Sequence, residues 1–291
     1  MIQWYPGHMA KAKREMIQTL SLADVAIEVL DARAPEATRN PDLAQMFEKK
    51  PRIVVLNKED LANQAITQQW LSYYRAQGAM ALSYCATRSG KNAPLFAAVE
   101  QAAAKVIERW AQRGAVKPVR VMVAGIPNVG KSSLINCLSG GKRAKVGATP
   151  GVTRGKQWVR LSPRLELMDT PGILWPKLED QQAAVRLAMI NAIRDEILEQ
   201  EELALALIGE LVHMAPFAIS NRYQVQAQDQ TALEVLLAIG KRRGFVVRGG
   251  QIDTERAANT LIDEFRQGKL GRISLEAPRL SKEEQYERQG I

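Results

Sequence analysis

Gly125-Ile126-Pro127-Asn128-Val129-Gly130-Lys131-Ser132-Ser133 stands between an apolar, β-branched run at residues 119–124 and a helical pattern at residues 133–138. A strand, a glycine-rich loop and a helix in this order are the context of a phosphate-binding P-loop. Gly125 and Gly130 permit backbone angles that turn successive N–H groups toward a polyphosphate, and the helix adds its positive N-terminal end. The sequence therefore predicts a nucleotide-binding fold built around this loop.

The side chains of the loop predict individual contacts with a bound nucleotide. Lys131 is expected to bridge the β- and γ-phosphates and so to assist catalysis, and the Ser132 hydroxyl is expected to bind Mg²⁺. We expect the phosphate contacts to come from Asn128, Val129, Gly130, Lys131, Ser132 and Ser133.

A second motif, Asn57-Lys58-Glu59-Asp60, follows the apolar strand pattern at residues 52–56. In such a loop the aspartate accepts hydrogen bonds from the N1–H and the exocyclic amine of guanine, which adenine cannot supply. Asn57 would hold the base edge, and the Lys58 stem would lie along the purine face. Because a buried carboxylate without donors is costly, Asp60 predicts selection of GTP over ATP.

The loop Cys85-Ala86-Thr87 follows the next strand pattern, at residues 80–84. It resembles the Ser-Ala-Lys loop with which GTPases contact the guanine O6 through a backbone N–H, with Cys85 and Thr87 in place of Ser and Lys. Since the contact is made by the backbone, these replacements are expected to matter little. A plain strand-to-helix turn is the alternative interpretation.

The segment after the P-loop helix supplies the remaining parts of the predicted site. Residues 146–155 are glycine-rich and polar, as expected for a switch loop, with Thr153 as the expected ligand of Mg²⁺ and the γ-phosphate and Thr149 as the second candidate. Asp169 is expected to hold Mg²⁺ through water, and the Gly172 N–H to contact the γ-phosphate.

The charge is unevenly distributed along the chain. The net charge is +9 over 291 residues. Residues 1–175 contain 25 Lys and Arg against 13 Asp and Glu, a net charge of +12, whereas the remainder has a net charge of −3. This excess favours a polyanionic partner such as RNA. Two cysteines provide neither a disulfide framework nor a CxxC metal pair, which fits a reducing cytosol.

The order of the motifs predicts a circularly permuted α/β P-loop GTPase domain, residues 1–175, because the base-recognition loops precede the P-loop. Residues 176–291 are predicted to form an α-helical domain that contacts RNA or the ribosome. Its expected helices are residues 180–193, 194–214, 231–242 and 254–267, with leucines 203, 207, 211, 233, 236 and 237 on core faces. The cluster Lys241-Arg242-Arg243, with Phe245 and Arg248, is a candidate RNA contact, and a solvated helix end is the alternative interpretation. The apolar segment 203–219 is interrupted by polar residues and Pro216, so it predicts a buried helix without a membrane span.

The motif order, the opening Trp4-Tyr5-Pro6-Gly7-His8 and the segment Asp31-Ala32-Arg33-Ala34-Pro35 together resemble the ribosome-biogenesis GTPase A family, the YlqF type. The resemblance implies a monomeric, cytoplasmic GTPase that binds GTP and GDP with Mg²⁺ and docks on a late precursor of the large (50S) ribosomal subunit and its rRNA. Hydrolysis, stimulated by the subunit, would release it.

Two residues are candidates for assisting hydrolysis, because Ile173 occupies the position where Ras-like enzymes have a water-orienting Gln. Asn128 resembles the asparagine with which related GTPases hold a potassium ion, and a turn-forming asparagine is the alternative. His8 has a side chain whose ordinary pKa suits water activation, and a capping or RNA-contacting role is the alternative.

Two other classes of function remain open from the residues alone. The chain could be a GTP-gated binding module for another RNA or for a protein, with turnover incidental. It could also be an ATP-dependent enzyme, in which case Asp60 would not determine the choice of nucleotide.

Overall fold

The computed structural model describes residues 16–47, 50–87, 92–139, 157–169, 180–193 and 199–278. The strands are β1 (Val25–Asp31), β2 (Arg52–Asn57), β3 (Met80–Tyr84), β4 (Val119–Ala124), β5 (Gln157–Ser162) and β6 (Leu165–Asp169). The helices are α1 (described over residues 16–22), α2 (Pro41–Met46), α3 (Gln64–Ala76), α4 (Ala93–Gln112), α5 (Lys131–Leu138), α6 (Gln181–Met189), α7 (Gln200–Met214), α8 (Ala218–Tyr223), α9 (Ala232–Arg243) and α10 (Thr254–Arg266).

The described strands form a six-stranded sheet in the order β3-β2-β1-β4-β6-β5. Every neighbouring pair is parallel except β5 and β6, which form an antiparallel hairpin. Strands β2 and β3, which carry the predicted base-recognition loops, precede the P-loop strand β4 in the chain. The structure therefore confirms the permuted α/β arrangement that the motif order predicts.

Helices cover both faces of the sheet, and this explains the continuous apolar runs of the strands. All seven residues of β1 are buried. Helices α1, α2 and α3 pack on one face, where Trp70 and Tyr74 of α3 contact the β1–β2 layer. Helices α4 and α5 pack on the other face, and the same apolar core continues into α6, α7, α9 and α10. The sheet and the helical region thus share a core.

The helical region is built on α7, which packs against α6, α9 and α10. In α9 the buried stripe consists of Val235, Leu236, Ile239 and Gly240. A Cβ at Gly240 would lie 2.5 Å from Ile252 Cγ2, so this close approach determines the inward face of the helix. Leu233 is half exposed, and its prediction as a core residue is wrong.

Several helix boundaries differ from the expectation. Helix α6 ends at Met189 although its pattern predicts continuation to residue 193. Helix α7 begins at Gln200, and the short α8 after Pro216 was not expected. The predicted domain boundary at residues 175–176 lies outside the described residues. Among the described helices, none combines the length and apolar character that a membrane crossing requires.

The segment of residues 273–276, here called the C-terminal strap, hydrogen-bonds along the sheet domain. The Ile273 N–H donates to the Leu61 carbonyl at 2.9 Å, and the Leu275 N–H donates to the Arg33 carbonyl at 2.7 Å. The Glu276 carboxylate accepts from the Ala37 N–H at 3.0 Å, and its carbonyl accepts from Trp70 Nε1 at 3.2 Å. The strap therefore joins the end of the helical region to the loops that follow β1 and β2.

Glu264 of α10 is the centre of a charged cluster in the helical region. Its carboxylate accepts hydrogen bonds from Arg222 at 2.7 and 2.8 Å, from the Tyr223 hydroxyl at 2.8 Å and from Arg243 at 2.9 Å. The bonds from Arg222 lower the pKa of Glu264 to about 2, although partial burial acts in the opposite direction. This carboxylate joins α8, α9 and α10.

We expect Glu264→Gln to lower the free energy of unfolding at pH 7 by about 1–2 kcal/mol, a range that allows for solvent screening of the two partly exposed arginines. The pKa of Glu264 is lowered by folding, so its contribution is complete above its ordinary value of 4.5 and is lost as the pH falls from there toward 2. Denaturant unfolding at several pH values measures this. Glu255→Gln, on the exposed side of α10, is the matched control, and identical acid profiles for wild type and Glu264→Gln would contradict the assignment.

Candidate nucleotide-binding site

The predicted site loops meet at the carboxyl edge of the sheet. In the strand register Asp31 lies opposite Asn57, and Asn57 lies opposite Tyr84, so the loops after β1, β2 and β3 are neighbours. The P-loop follows β4, which is parallel to β1. Ligands of open α/β sheets bind at this edge, beyond the carboxyl ends of the strands.

Two glycines of the P-loop occupy positions that exclude a side chain. Gly125 has φ +155°, and a Cβ there would lie 2.5 Å from the Val29 carbonyl oxygen of β1. Gly130 has φ +95° and caps the N-terminus of α5, and a Cβ there would overlap Asn57 Nδ2. The P-loop backbone is therefore packed directly against β1 and the Asn57 loop.

Helix α5 begins at Lys131, whose side chain folds over the loop. Its Nζ donates to the Ile126 carbonyl at 2.7 Å, and the residue is buried. Ser132 and Ser133 lie in the same first turn and are partly buried. The structure thus brings together the predicted phosphate ligands Asn128 to Ser133 at a helix N-terminus, where the free N–H groups and the helix dipole favour an anion.

Asn57 connects three loops through its side-chain amide. Its Nδ2 donates to the Val129 carbonyl of the P-loop at 2.8 Å, and its Oδ1 accepts from the Ala86 N–H at 3.2 Å. In the third loop Cys85 Sγ lies 3.1 Å from Thr87 Oγ1. In this structure the Ala86 N–H positions Asn57, and the loop lies beside the Asn57 motif as the sequence predicts.

Lys58 connects the second motif to the P-loop and to β1. Its backbone is left-handed, with φ +60°. Its Nζ donates to the Asn128 carbonyl at 2.8 Å and lies 2.9 Å from Asp31 Oδ2. Loss of hydration lowers the pKa of the Lys58 ammonium, and the Asp31 carboxylate opposes this effect.

Asp31 is fully buried and ionised. Burial alone would raise the pKa of its carboxyl, but Arg33 and Lys58 outweigh this effect and hold the pKa well below its ordinary range. Arg33 donates to both carboxylate oxygens, from Nε at 2.9 Å and from Nη2 at 2.7 Å. Two cations therefore share one carboxylate at the end of β1.

Asp60 lies at the end of the same motif and is partly buried. Within the part of the chain that the structure describes, no hydrogen bond to its carboxylate is found, while the Lys58 ammonium acts on it electrostatically. Guanine recognition by this carboxylate, through the N1–H and the amine of the base, stays a prediction.

Asn128 contacts the helical region from within the P-loop. Its backbone is left-handed, with φ +59°, and its Nδ2 donates to the Asn191 carbonyl at 2.8 Å. Asn191 follows the C-terminus of α6. The amide nitrogen of Asn128 therefore binds the helical region in this structure, an interaction that the sequence does not reveal.

The other predicted site residues are placed less completely. His8, Thr149, Thr153 and Gly172 lie outside the described residues. Asp169 ends β6 opposite Val123 of β4, which places its backbone beside the P-loop strand. That position agrees with the predicted part of Asp169 in binding Mg²⁺.

Sequence reasoning gave Asp31 and Arg33 no chemical part in the site. The structure places them directly behind Lys58 as a buried ion pair. The signal was a pair of opposite charges, two residues apart, at the end of a largely apolar strand, since charges in such places are rarely buried unless they are paired.

We expect Gly130→Ala to weaken nucleotide binding by at least tenfold, because the new Cβ meets Asn57 Nδ2 and the backbone is left-handed. Gly78→Ala is the matched control, since Gly78 also has a positive φ, +77°, but nothing lies within 4 Å of its Cβ position. Titration with a fluorescent guanine nucleotide measures the effect. Equal losses of affinity in the two variants would refute the assignment of this loop.

The chain is similar to known GTPases over most of its length. A family model described as "50S ribosome-binding GTPase" matches residues 120–248. Ribosome biogenesis GTPase A of Priestia megaterium is 41% identical over 279 residues, which cover 95% of this chain and 97% of the relative. The protein of the same name from Thermotoga maritima is 31% identical, over 95% of each chain.

Solved structures agree with these relatives. The structure titled as GDP-bound TM YlqF matches with a TM-score of 0.64 and 27% identity, covering 91% of this chain and 99% of the other. The GNP-bound YlqF of T. maritima matches with a TM-score of 0.63 and 28% identity, covering 92% and 99%. With its permuted strand order and P-loop, this chain belongs to the ribosome biogenesis GTPase A family and hydrolyses GTP.

Proposed function

We propose that this GTPase docks on a late precursor of the large ribosomal subunit in its GTP-bound state and leaves after hydrolysis. The observation that supports a GTP-controlled cycle is the direct contact between the base and phosphate loops, through Asn57 to Val129 and Lys58 to Asn128. One nucleotide can span both loops. The large subunit is suggested by the matching family model, described as a 50S ribosome-binding GTPase.

In this proposal the guanine base lies between Lys58 and the Cys85-Ala86-Thr87 loop. Asp60 accepts the guanine N1–H and amine, and Asn57 holds the loops together. The P-loop N–H groups from Asn128 to Ser133 and the Lys131 ammonium bind the phosphates, and Gly172 contacts the γ-phosphate.

Magnesium fits the donor set of this site, because Ser132 stands at the start of α5 and Asp169 at the neighbouring strand end. Ser132, Thr153 and Asp169 would hold it, and when bound it neutralises charge on the β- and γ-phosphates. Asn128 would also hold a potassium ion, through its side-chain oxygen. His8 is proposed to activate water, since neither Ile173 nor Leu174 can orient it.

We propose that rRNA of the subunit binds the positively charged GTPase domain and exposed basic residues of the helical region. Lys241 and Arg248 are exposed, whereas Arg243 binds Glu264, so the cluster predicted from the sequence is only partly available. The protein would act as a monomer in the cytoplasm. A GTP-gated module for another RNA or for a protein is the alternative.

We expect Asp60→Asn to weaken GTP binding by about 100-fold, about 3 kcal/mol, because the amide cannot accept both guanine donors. The same variant should bind xanthosine triphosphate more tightly than GTP, since xanthine offers an acceptor where guanine has its amine. Competition titrations with GTP, xanthosine triphosphate and ATP measure this. Asp263→Asn, on α10, is the control. An unchanged preference for GTP in Asp60→Asn would exclude guanine recognition by this loop.

The docking proposal is tested by sedimentation with purified subunits. We expect wild type with a non-hydrolysable GTP analogue to pellet with large subunit precursors and not with small subunits, and to be released as salt rises. Asp60→Asn should pellet with the xanthosine analogue and not with the GTP analogue. Large precursors should also raise the GTP turnover of the full chain. Pelleting that ignores the nucleotide, or turnover unchanged by large subunits, would contradict the proposal.

A further inference from the structure

A row of alternating charge lies between the proposed guanine-binding loop, residues 57–60, and the helical region. It consists of Lys58, Asp31 and Arg33 and is here called the junction triad. The Asp31 carboxylate lies 2.9 Å from Lys58 Nζ and 2.7 Å from Arg33 Nη2 on the same oxygen, Oδ2. Its Oδ1 accepts from the Arg33 N–H at 3.1 Å and from Nε at 2.9 Å. Arg33 therefore fixes the carboxylate in two directions, and the carboxylate in turn fixes the Lys58 ammonium.

The far side of Arg33 contacts the helical region. Its Nη2 lies 3.4 Å from the Ile190 carbonyl that follows α6, and its guanidinium lies 5.8 Å from the centre of the Phe265 ring of α10. The strap binds its backbone through Leu275. Arg33 is almost fully buried, yet its Nη1 has no acceptor among the described residues.

The P-loop contacts the same turn of the helical region independently. Asn128 Nδ2 donates to the Asn191 carbonyl, the residue next to Ile190. Two consecutive carbonyls after α6 thus accept hydrogen bonds from the loops that hold Lys58 from its two sides. The Lys58 ammonium is held between Asp31 and the Asn128 carbonyl, and both of these partners belong to loops bound to the helical region.

We propose that Arg33 is a positioning residue through which the helical region sets Lys58 against the bound guanine base. The inference rests on the proposed assignment of residues 57–60 to guanine. A planar guanidinium that binds both oxygens of a carboxylate fixes its orientation, which a point charge cannot do. Lys58 then needs no reordering when nucleotide binds, and such preorganisation strengthens binding. By linkage, nucleotide binding strengthens the contact between Arg33 and the turn after α6 to the same extent.

A double-mutant cycle tests whether Arg33 acts through Lys58. We expect Arg33→Met to raise the Kd for GTP and the KM about tenfold while kcat stays within twofold, because ground-state and transition-state binding are weakened equally. In a Lys58→Met background the same substitution should change the Kd less than twofold. Arg33→Lys should recover only part of the loss, since the two-oxygen contact is absent.

Arg75→Met is the matched control for an arginine that bonds only to backbone. Arg75 donates two hydrogen bonds to the Ala81 carbonyl, at 3.2 and 2.8 Å, and has no contact with Lys58, Asp31 or the turn after α6 among the bonds of the described residues. We expect Arg75→Met to leave the Kd for GTP unchanged. Thermal unfolding of every variant verifies that the effects on Kd are measured on folded protein.

The inference would be overturned if Arg33→Met raised the Kd for GTP by the same factor in the wild-type and Lys58→Met backgrounds. It would also be overturned if Arg33→Met left the Kd of the otherwise wild-type protein unchanged. The outcome is separable from that of the guanine assignment. If Asp60→Asn comes to prefer xanthosine triphosphate while the effects of Arg33→Met and Lys58→Met on the Kd are additive, only the positioning role of Arg33 is wrong. If Asp60→Asn keeps its preference for GTP, the guanine assignment itself is wrong.

Hydrogen exchange gives a second, reciprocal readout in the full chain. Adding GDP should slow exchange in residues 186–193 relative to residues 232–243 in wild type, and this protection should disappear in Arg33→Met. Exchange in residues 186–193 that is unaffected by GDP in wild type would refute the coupling.

Discussion

The side-chain amide of Asn57 is the contact on which the nucleotide site depends. It joins a carbonyl of the P-loop, 72 residues further along the chain, to a backbone N–H of the third loop. Both the nitrogen and the oxygen of the amide are hydrogen-bonded, and these two bonds fix the orientation of the side chain. Permutation has changed the order in which these loops occur in the chain but not their neighbourhood in space, because strand order in the sheet decides which loops meet.

Buried charges are also balanced behind the loop of residues 57–60. Removing the Lys58 ammonium from water costs free energy, and its ion pair with the Asp31 carboxylate offsets this cost. Arg33 in turn pairs with Asp31, and its guanidinium also contacts the helical region. In the helical region, two backbone carbonyls that follow α6 accept the hydrogen bonds from Arg33 and Asn128. A helix C-terminus carries partial negative charge, which favours these donors. The GTPase site and the helical region are therefore joined electrostatically as well as by their shared apolar core.

The sequence predicted the sheet and the position of its loops well, because buried strands such as β1 and β2 are largely apolar and each ends in a recognisable motif. Prediction from the sequence failed where contacts with neighbouring elements determine the local structure. The end of α6 and the exposure of Leu233 depend on tertiary packing, and α8 is too short to show a period. The contacts of Arg33 and Asn128 with the helical region could not be predicted at all, since their acceptors there are backbone carbonyls, which every residue type provides.

The strap has a consequence for how the molecule is made. The Glu276 carboxylate of the strap accepts a hydrogen bond from the Ala37 N–H, 239 residues earlier in the chain. The Ile273 N–H donates to the carbonyl of Leu61, which directly follows residues 57–60. During synthesis the loops after β1 and β2 leave the ribosome long before the strap exists, and contacts so distant in sequence form late. A nascent chain can thus assemble its sheet while the junction with the helical region is still open, so the junction is completed only after the strap has been synthesised.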